Sequence, residues 1–302
     1  MNYMTVENFS KAAVPLRKQF ESVMMDDHNP RRFSWDLWNK PDRYVHLRTP
    51  AEKFFEGDCA KHLERIKEEL SSFGENELGC RSLSPLWLSC YVDGCEQRWH
   101  ADRPHGPWAF VLSISPTDYT FSGGETILLK PEILSYWNSP VSSGKPFEDG
   151  EVVQRVAPKF NRLTVFDPRV PHGVSTLKGT MNPIQGRLVL HGWFTQPRPF
   201  YKGPIATKII ETALAEFDQM LARDLTEFSS SGTIAFKVSI AKSGKVTEVK
   251  ALASSLASGL VESSYQDQRR LATLVRHHFL TYPFPKANTK GELILPLTFQ
   301  GT

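Results

Sequence analysis

The chain of 302 residues carries only four cysteines, Cys59, Cys80, Cys90 and Cys95, with no Cys-x-x-Cys pair and no metal-finger spacing. That excludes a disulfide-built scaffold and a thiolate metal site, so reduced thiols in a cytoplasm are the expected state. Cys90 and Cys95 are the one pair near enough in sequence to approach each other. No stretch approaches 18 uncharged apolar residues, and a membrane span is not expected. Residues 1–30 hold no apolar core after Lys11, Arg17 and Lys18, which argues against secretion and for a cytoplasmic location. Charge of one sign is lacking too: 36 Lys and Arg stand against 33 Asp and Glu, a formal net charge of +3, with the basic residues dispersed. Neither a nucleic-acid footprint nor attraction to an anionic membrane follows from that balance.

What the chain does have is 40% hydrophobic and 11% aromatic residues, enough for one large or two ordinary domains. Residues 31–50, with Trp35, Trp38 and Tyr44, read as an irregular lead-in with one strand around Val45-His46-Leu47-Arg48 that covers the barrel or lines the substrate entrance. From Pro50 to Phe73 the residues Phe54, Phe55, Cys59, His62, Leu63, Ile66 and Leu70 recur at three- and four-residue spacing, which predicts one amphipathic helix ended by Gly74 and packed on the outside of a sheet. Short strands follow over Trp87–Tyr91, His100–Asp102, Trp108–Ile114, Thr126–Leu129, Val152–Val156, Asn161–Phe166 and Arg187–Phe194. Many short strands with Gly and Pro turns suggest an all-β sandwich or barrel. Residues 131–150, with Tyr136, Trp137 and several Pro, Ser and Gly, form a long polar connection suited to a substrate lid.

Within this region the spacing of a few residues points to a metal. In an extended strand, residues i and i+2 share a face, so His100 and Asp102 reach one ion while Ala101 points away. His172, after the strand through Phe166 and the turn Asp167-Pro168-Arg169-Val170-Pro171, is the third candidate ligand. Two histidines and one carboxylate make the facial set for non-haem Fe(II), which leaves open positions. On the next strand, period two puts Arg187, Val189, His191 and Trp193 on one face, and a buried guanidinium calls for a carboxylate partner. Singly, each residue also fits a plainer role: a surface pair, a turn histidine, a strand-end charge. His191 serves either the site or the core, and His105 and Trp108 either border a substrate path or pack.

Tyr91-x-x-Gly94-x5-His100-x-Asp102, Phe121-Ser122-Gly123-Gly124-Glu125-Thr126, Asn161 to His172 and Arg187 to Phe194, in that order, resemble the Fe(II)/2-oxoglutarate-dependent dioxygenases, specifically the prolyl-4-hydroxylase-like branch. The resemblance implies a double-stranded β-helix, a jelly-roll core with flanking helices. It implies iron on His100, Asp102 and His172, 2-oxoglutarate on Arg187 with help from Tyr91, O2 as cosubstrate and ascorbate as reductant. The spacing from His172 to Arg187 is longer than usual for this branch, and Lys178 to Pro183 looks like an insertion that alters a lid or entrance. An intact Asp102 favours hydroxylation over halogenation, because halogenating relatives lose that carboxylate, and leaves desaturation and ring closure open. A prolyl or other peptidyl substrate is implied, with a free amino acid or another small-molecule metabolite as the alternative. A sensor that binds 2-oxoglutarate, iron or O2 without turnover, and a cupin-like metal protein, are the rivals.

After Pro197, Pro199 and Pro204 the composition changes. Ile205 to Phe228 carries Ile209, Ile210, Leu214, Phe217, Leu221 and Leu225 on one face, a connecting helix with a stripe to bury. A hairpin is expected over Thr233–Ile240 and Val246–Ala253, a helix over Tyr265–Phe279 and a final strand over Gly291–Phe299. Gly232-Thr233-Ile234-Ala235-Phe236, Ser243-Gly244-Lys245-Val246, Pro283-Phe284-Pro285 and Leu295 to Phe299 resemble the C-terminal module of TonB-type energy transducers. The expected organisation is therefore a dioxygenase domain with a helical lead-in over 1–203, a connecting helix over 204–229 and a small α+β module over 230–302. That module either binds a protein partner, self-associates through a strand edge, or caps the enzyme domain.

Overall fold

The computed structural model describes residues 3–57, 60–102, 105–130, 133, 149–225, 228–258 and 261–300. In chain order the first elements are β1 (Tyr3–Val6), α1 (Ala13–Met25), β2 (Asp36–Lys40), β3 (Tyr44–Pro50), α2 (Ala51–Phe54) and α3 (Ala60–Phe73). Then come β4 (Cys80–Leu83), β5 (Trp87–Tyr91), β6 (Glu96–His100), β7 (Trp108–Ser113), β8 (Thr126–Leu129), α4 (Asp149–Val152), β9 (Val153–Val156), β10 (Leu163–Phe166), β11 (His172–Val174) and β12 (Arg187–Pro197). The last are β13 (Phe200–Lys202), α5 (Thr207–Asp224), β14 (Gly232–Ile240), β15 (Val246–Ser254), α6 (Val261–Thr281) and β16 (Gly291–Phe299). No described helix is long and apolar enough to cross a membrane.

Two compact units result, the first formed by Met1–Ser72, Ser82–Ile133 and Ser142–Thr195. It is built on a curled antiparallel sheet in the order β1-β10-β7-β12-β5-β3-β6-β11-β8-β9, the jelly-roll arrangement, with helices alongside. The curl brings strands far apart in that order face to face: Arg187 on β12 donates to Thr126 on β8. On β12 the alternation is plain. Leu188, Leu190 and Phe194 are fully buried on one side, and Arg187, Val189, His191 and Trp193 line a cavity on the other.

Several expected elements are corrected. Residues 31–50 are not an irregular lead-in with one strand, but hold the hairpin of β2 and β3, in register from Asp36↔Arg48 to Lys40↔Tyr44. The helix over 50–73 is broken into α2 and α3. α2 ends at Phe54, Phe55 leaves the helical conformation at φ −102° and ψ 46° with both rings fully buried, and Gly57 then turns the chain at φ +67°. Gly74 does not end α3 either. A π-helical turn over Gly74–Leu78 continues it to Gly79, which takes the left-handed conformation at φ +70°. β1, which pairs with β10, was not expected at all. Residues 131, 132 and 134–148 of the proposed lid and Cys59 lie outside the described residues; Cys80, Cys90 and Cys95 are free and buried.

The second unit includes Phe73–Arg81 and Gln196–Thr302. Its sheet runs β13-β16-β14-β15, and β16 spans Gly291–Phe299 as expected. Ile210, Ala213 and Phe217 of α5 share one core with Ile234, Phe236 and Val238 of β14, Leu271, Val275 and Phe279 of α6, and Leu293 and Leu295 of β16. Asp267 on α6 ties down the approach to β14, accepting from the backbone N–H and hydroxyl of both Ser229 and Ser230.

Candidate metal centre and cavity

His100 closes β6, His172 opens β11, and the two pair directly across the ladder. Their ring centroids are 4.3 Å apart. Asp102 follows outside the strand, a correction to the expected strand over His100–Asp102. Its backbone N–H donates to the Pro168 carbonyl at 2.8 Å, so the turn leading to His172 aims the carboxylate. Asp102 Oδ1 lies 3.6 Å from His100 Nε2, and Oδ2 lies 3.5 Å from His172 Nε2. One donor atom from each residue falls within 4.8 Å of the others, and the two His–Asp separations are within the reach of two bonds of about 2 Å.

Both histidines present the same nitrogen. Nδ1 of His100 donates to the Arg98 carbonyl and Nδ1 of His172 to the Val170 carbonyl, each at 2.8 Å. A carbonyl only accepts, so in the neutral rings the proton sits on Nδ1 and Nε2 keeps its lone pair. Burial, reinforced by His172, holds His100 below the usual histidine range. For Asp102, burial acts upward, but while His172 is protonated its hydrogen bond and charge, with the charges of His100 and His105, outweigh it and hold the carboxyl low. A neutral imidazole and an ionised carboxylate are the forms a metal needs. The set fits a facial Fe(II) triad, with the cavity on its open side.

Arg187 is 1% exposed. It stands opposite Tyr91 on β5, and its guanidinium lies 4.6 Å from the centroid of that ring. Nη2 donates to Thr126 Oγ1 at 3.2 Å, while Nε and Nη1 are buried with no hydrogen-bond partner. Unpaired buried guanidinium N–H groups are costly and fit a carboxylate that supplies the missing acceptors. Gly124 makes the room: its φ is +71°, and a Cβ there would meet Arg187 Cδ at 3.2 Å. Burial pushes the Tyr91 phenol up to about 12, and its hydroxyl donates to Gln97 Oε1 at 3.3 Å. Gln97 Nε2 in turn sits 3.1 Å from His100 Nε2, on the lone pair a metal would take.

The cavity measures about 420 Å³ and is lined by the triad, Arg187, Tyr91 and His191 together. His191 bonds Ser89 Oγ through Nε2 at 2.9 Å; burial and the Arg187 charge lower it to about 4, so it stays neutral. His105 borders the cavity, stacked on Trp193 at 4.5 Å. Trp108 is 1% exposed and does not line it; its role is packing. The loop over 178–183 is pinned to the β5–β6 turn, with Gly179 N–H donating to Asp93 Oδ1 and Asp93 N–H to the Thr180 carbonyl, and it does not line the cavity. Sequence reasoning left Gln97 out; Trp38, His46 and Arg48 were read only as part of a segment covering the barrel or lining the substrate entrance, and Trp38 and Arg48 do line the cavity. His46 is 1% exposed, stacks on Tyr91 at 4.8 Å, and is lowered to about 3 by burial and the His191 and Arg187 charges.

Residues 86–195 match the 2OG-Fe(II) oxygenase superfamily. That superfamily is Fe(II)- and 2-oxoglutarate-dependent, and the matched span contains all three triad residues, Arg187 and Tyr91. No curated protein matches the chain. Among solved structures, a Pseudomonas putida prolyl-4-hydroxylase aligns at 16% identity over 65% of this chain and 92% of its own, with a TM-score of 0.45. A Trichoplax adhaerens prolyl hydroxylase in complex with a hypoxia inducible factor peptide fragment aligns at 15% over 64% and 83%, TM-score 0.43. A viral collagen prolyl hydroxylase from Paramecium bursaria Chlorella virus-1 aligns at 12% over 64% and 95%, TM-score 0.41.

Proposed function

We propose that the protein is an Fe(II)- and 2-oxoglutarate-dependent dioxygenase that hydroxylates an unactivated C–H bond of a peptidyl, prolyl-type, or amino-acid substrate, with release of succinate and CO2. The observation that carries this reading is one cavity holding both a His-Asp-His group with its Nε2 lone pairs convergent and a buried arginine with two unpaired N–H groups. His100, Asp102 and His172 would hold the iron, and Arg187 would hold the distal carboxylate of 2-oxoglutarate, with Tyr91 and His191 shaping that pocket. Iron, 2-oxoglutarate and O2 supply the oxidising chemistry when bound, and ascorbate would keep the iron reduced. The chain's own residues bind and orient. The backbone carbonyls of Arg98 and Val170 fix the histidine tautomers, burial keeps Tyr91 and His191 uncharged, and the aromatic walls limit water.

The second unit is proposed as a partner-binding or self-associating module. β15 lies at the end of its sheet and pairs with β14 alone among the described strands. The order of hairpin, helix and strand supports the likeness to a TonB C-terminal module.

Succinate release by purified protein given Fe(II), ascorbate, 2-oxoglutarate and O2 tests the enzyme reading, with Arg187→Ala as control. Release that depends on Arg187 is expected. Tight 2-oxoglutarate binding with no release in the presence of peptide and amino-acid substrates would favour a sensor instead.

A further inference from the structure

Arg48 projects from β3 into the row of side chains that lines the cavity, opposite Asp36 on β2 and Ser89 on β5. Two residues along those neighbouring strands stand Trp38 and Trp87, on the same face by strand alternation. The Arg48 Cζ lies 3.4 Å from the Trp38 ring centroid and 4.4 Å from that of Trp87. Two indole contacts hold the guanidinium and leave its in-plane N–H edge as the group it can offer. Among the described residues no hydrogen bond or ion pair engages the Arg48 side chain; Asp36 and Tyr44 act on it only through space. Arg48 is half-buried and lines the same cavity as the triad.

The charge inventory of that cavity is lopsided. Its described lining includes two arginines, Arg48 and Arg187, and one carboxylate, Asp102, which belongs to the triad. Under the oxygenase reading Arg187 is taken by 2-oxoglutarate, and Arg48 remains without a partner. Around it the walls are aromatic and apolar: Trp38, Trp87, Trp193, Phe110 and Val189. A single guanidinium balances the single charge of a carboxylate and matches its planar fork. A phosphate dianion would leave charge uncompensated against an aromatic rim.

We propose that Arg48, gripped between Trp38 and Trp87, is the substrate anchor, and that it takes the carboxylate of an apolar residue, either a free amino acid or the C-terminal residue of a peptide. The inference rests on the oxygenase reading. A cation already held by two rings loses little freedom on binding, which favours its use as an anchor. Recognition by the carboxylate fixes one end of the substrate and leaves its aliphatic or aromatic body to lie along the apolar wall toward His100, Asp102 and His172.

The test uses full-length protein loaded with Zn(II) in place of iron and with 2-oxoglutarate, so that nothing turns over. The probes are L-leucine, L-phenylalanine and L-proline, and Ala-Ala-Leu, Ala-Ala-Phe and Ala-Ala-Pro, each as free acid and as C-terminal amide, titrated by calorimetry. At least one acid should bind about tenfold or more tighter than its own amide, the worth of one charge-assisted pair. Whether amino acid or peptide shows that preference identifies the source. Arg48→Gln should abolish the preference and Arg48→Lys restore part of it, with 2-oxoglutarate affinity within about twofold of wild type in both. Acids and amides binding alike, an acid preference that survives R48Q, or no acid binding while 2-oxoglutarate does bind would each overturn the role of Arg48 alone. Failure of the wild type to bind 2-oxoglutarate would overturn the oxygenase reading and the anchor with it.

Discussion

Asp102 and His172 are joined twice. Their side chains meet at 3.5 Å, and the Asp102 backbone N–H bonds the carbonyl of Pro168 in the turn that delivers His172. The third ligand, His100, is held to His172 by strand pairing. The triad therefore depends on how closely β11 approaches β6. Gly173 decides that approach, because a Cβ there would meet the Gln97 carbonyl oxygen at 2.4 Å and the Arg98 oxygen at 3.2 Å.

Gly173→Ala should therefore push β11 away from β6 and weaken the site with no ligand changed. Metal affinity should fall by about 10- to 100-fold, the range seen when groups around a metal site are altered. His172→Ala should remove stoichiometric binding altogether, since two ligands remain. Metal content after equilibrium dialysis, with circular dichroism to verify folding, checks both. Unchanged affinity in Gly173→Ala would show that the strands adjust at no cost to the triad.

His46 makes a pH prediction. Its folded pKa of about 3 lies below the ordinary 6.5, so between those values the unfolded chain binds more protons than the folded one. Its contribution to stability is full above about pH 6.5 and is lost progressively as pH falls toward 3. At pH 5 that loss amounts to about 2 kcal/mol relative to pH 7. His46 Nδ1 has no partner and the ring only stacks, so His46→Phe should keep the packing and flatten the acid limb of the stability curve by about that amount. Urea midpoints at pH 7 and pH 5 for both proteins test it; parallel curves would rule the titration out.

Asp267→Ala should destabilise the second unit by about 2–4 kcal/mol, because four donors on Ser229 and Ser230 lose one buried acceptor. Asp267→Asn should cost less, since its amide oxygen still accepts. Thermal melts of the three proteins test the order, and equal melting temperatures would show that water replaces the carboxylate.

Much of the site was legible because its chemistry rests on alternation. Thr126–Leu129 and Trp87–Tyr91 form strands with the expected bounds, and Arg187 and His191 share the inward face that period two assigned to them. Asp102 does converge with His100 and His172, but a turn contact rather than a strand aims it. The hairpin of β2 and β3 was missed because β2 is mostly exposed and has no apolar alternation to show, and because its turn runs through Asp42 at φ +60° rather than a glycine. Gln97 and His46 carry no motif; only the rings and strands packed around them reveal their places. The helix over 50–73 failed at Phe54-Phe55, where a repeat of apolar residues concealed a change of direction.

The alternation along β12 also says which kinds of genetic change this protein can bear. Exchanging one inward residue for another alters what the cavity recognises and leaves the greasy side alone. Losing or gaining a single codon between Arg187 and Phe194 would reverse the facing of every side chain on one side of that point relative to the other, putting core residues into the chamber and lining residues into the core. Replacing an inward residue therefore changes only the cavity lining, while a shift in length disturbs the lining and the core together.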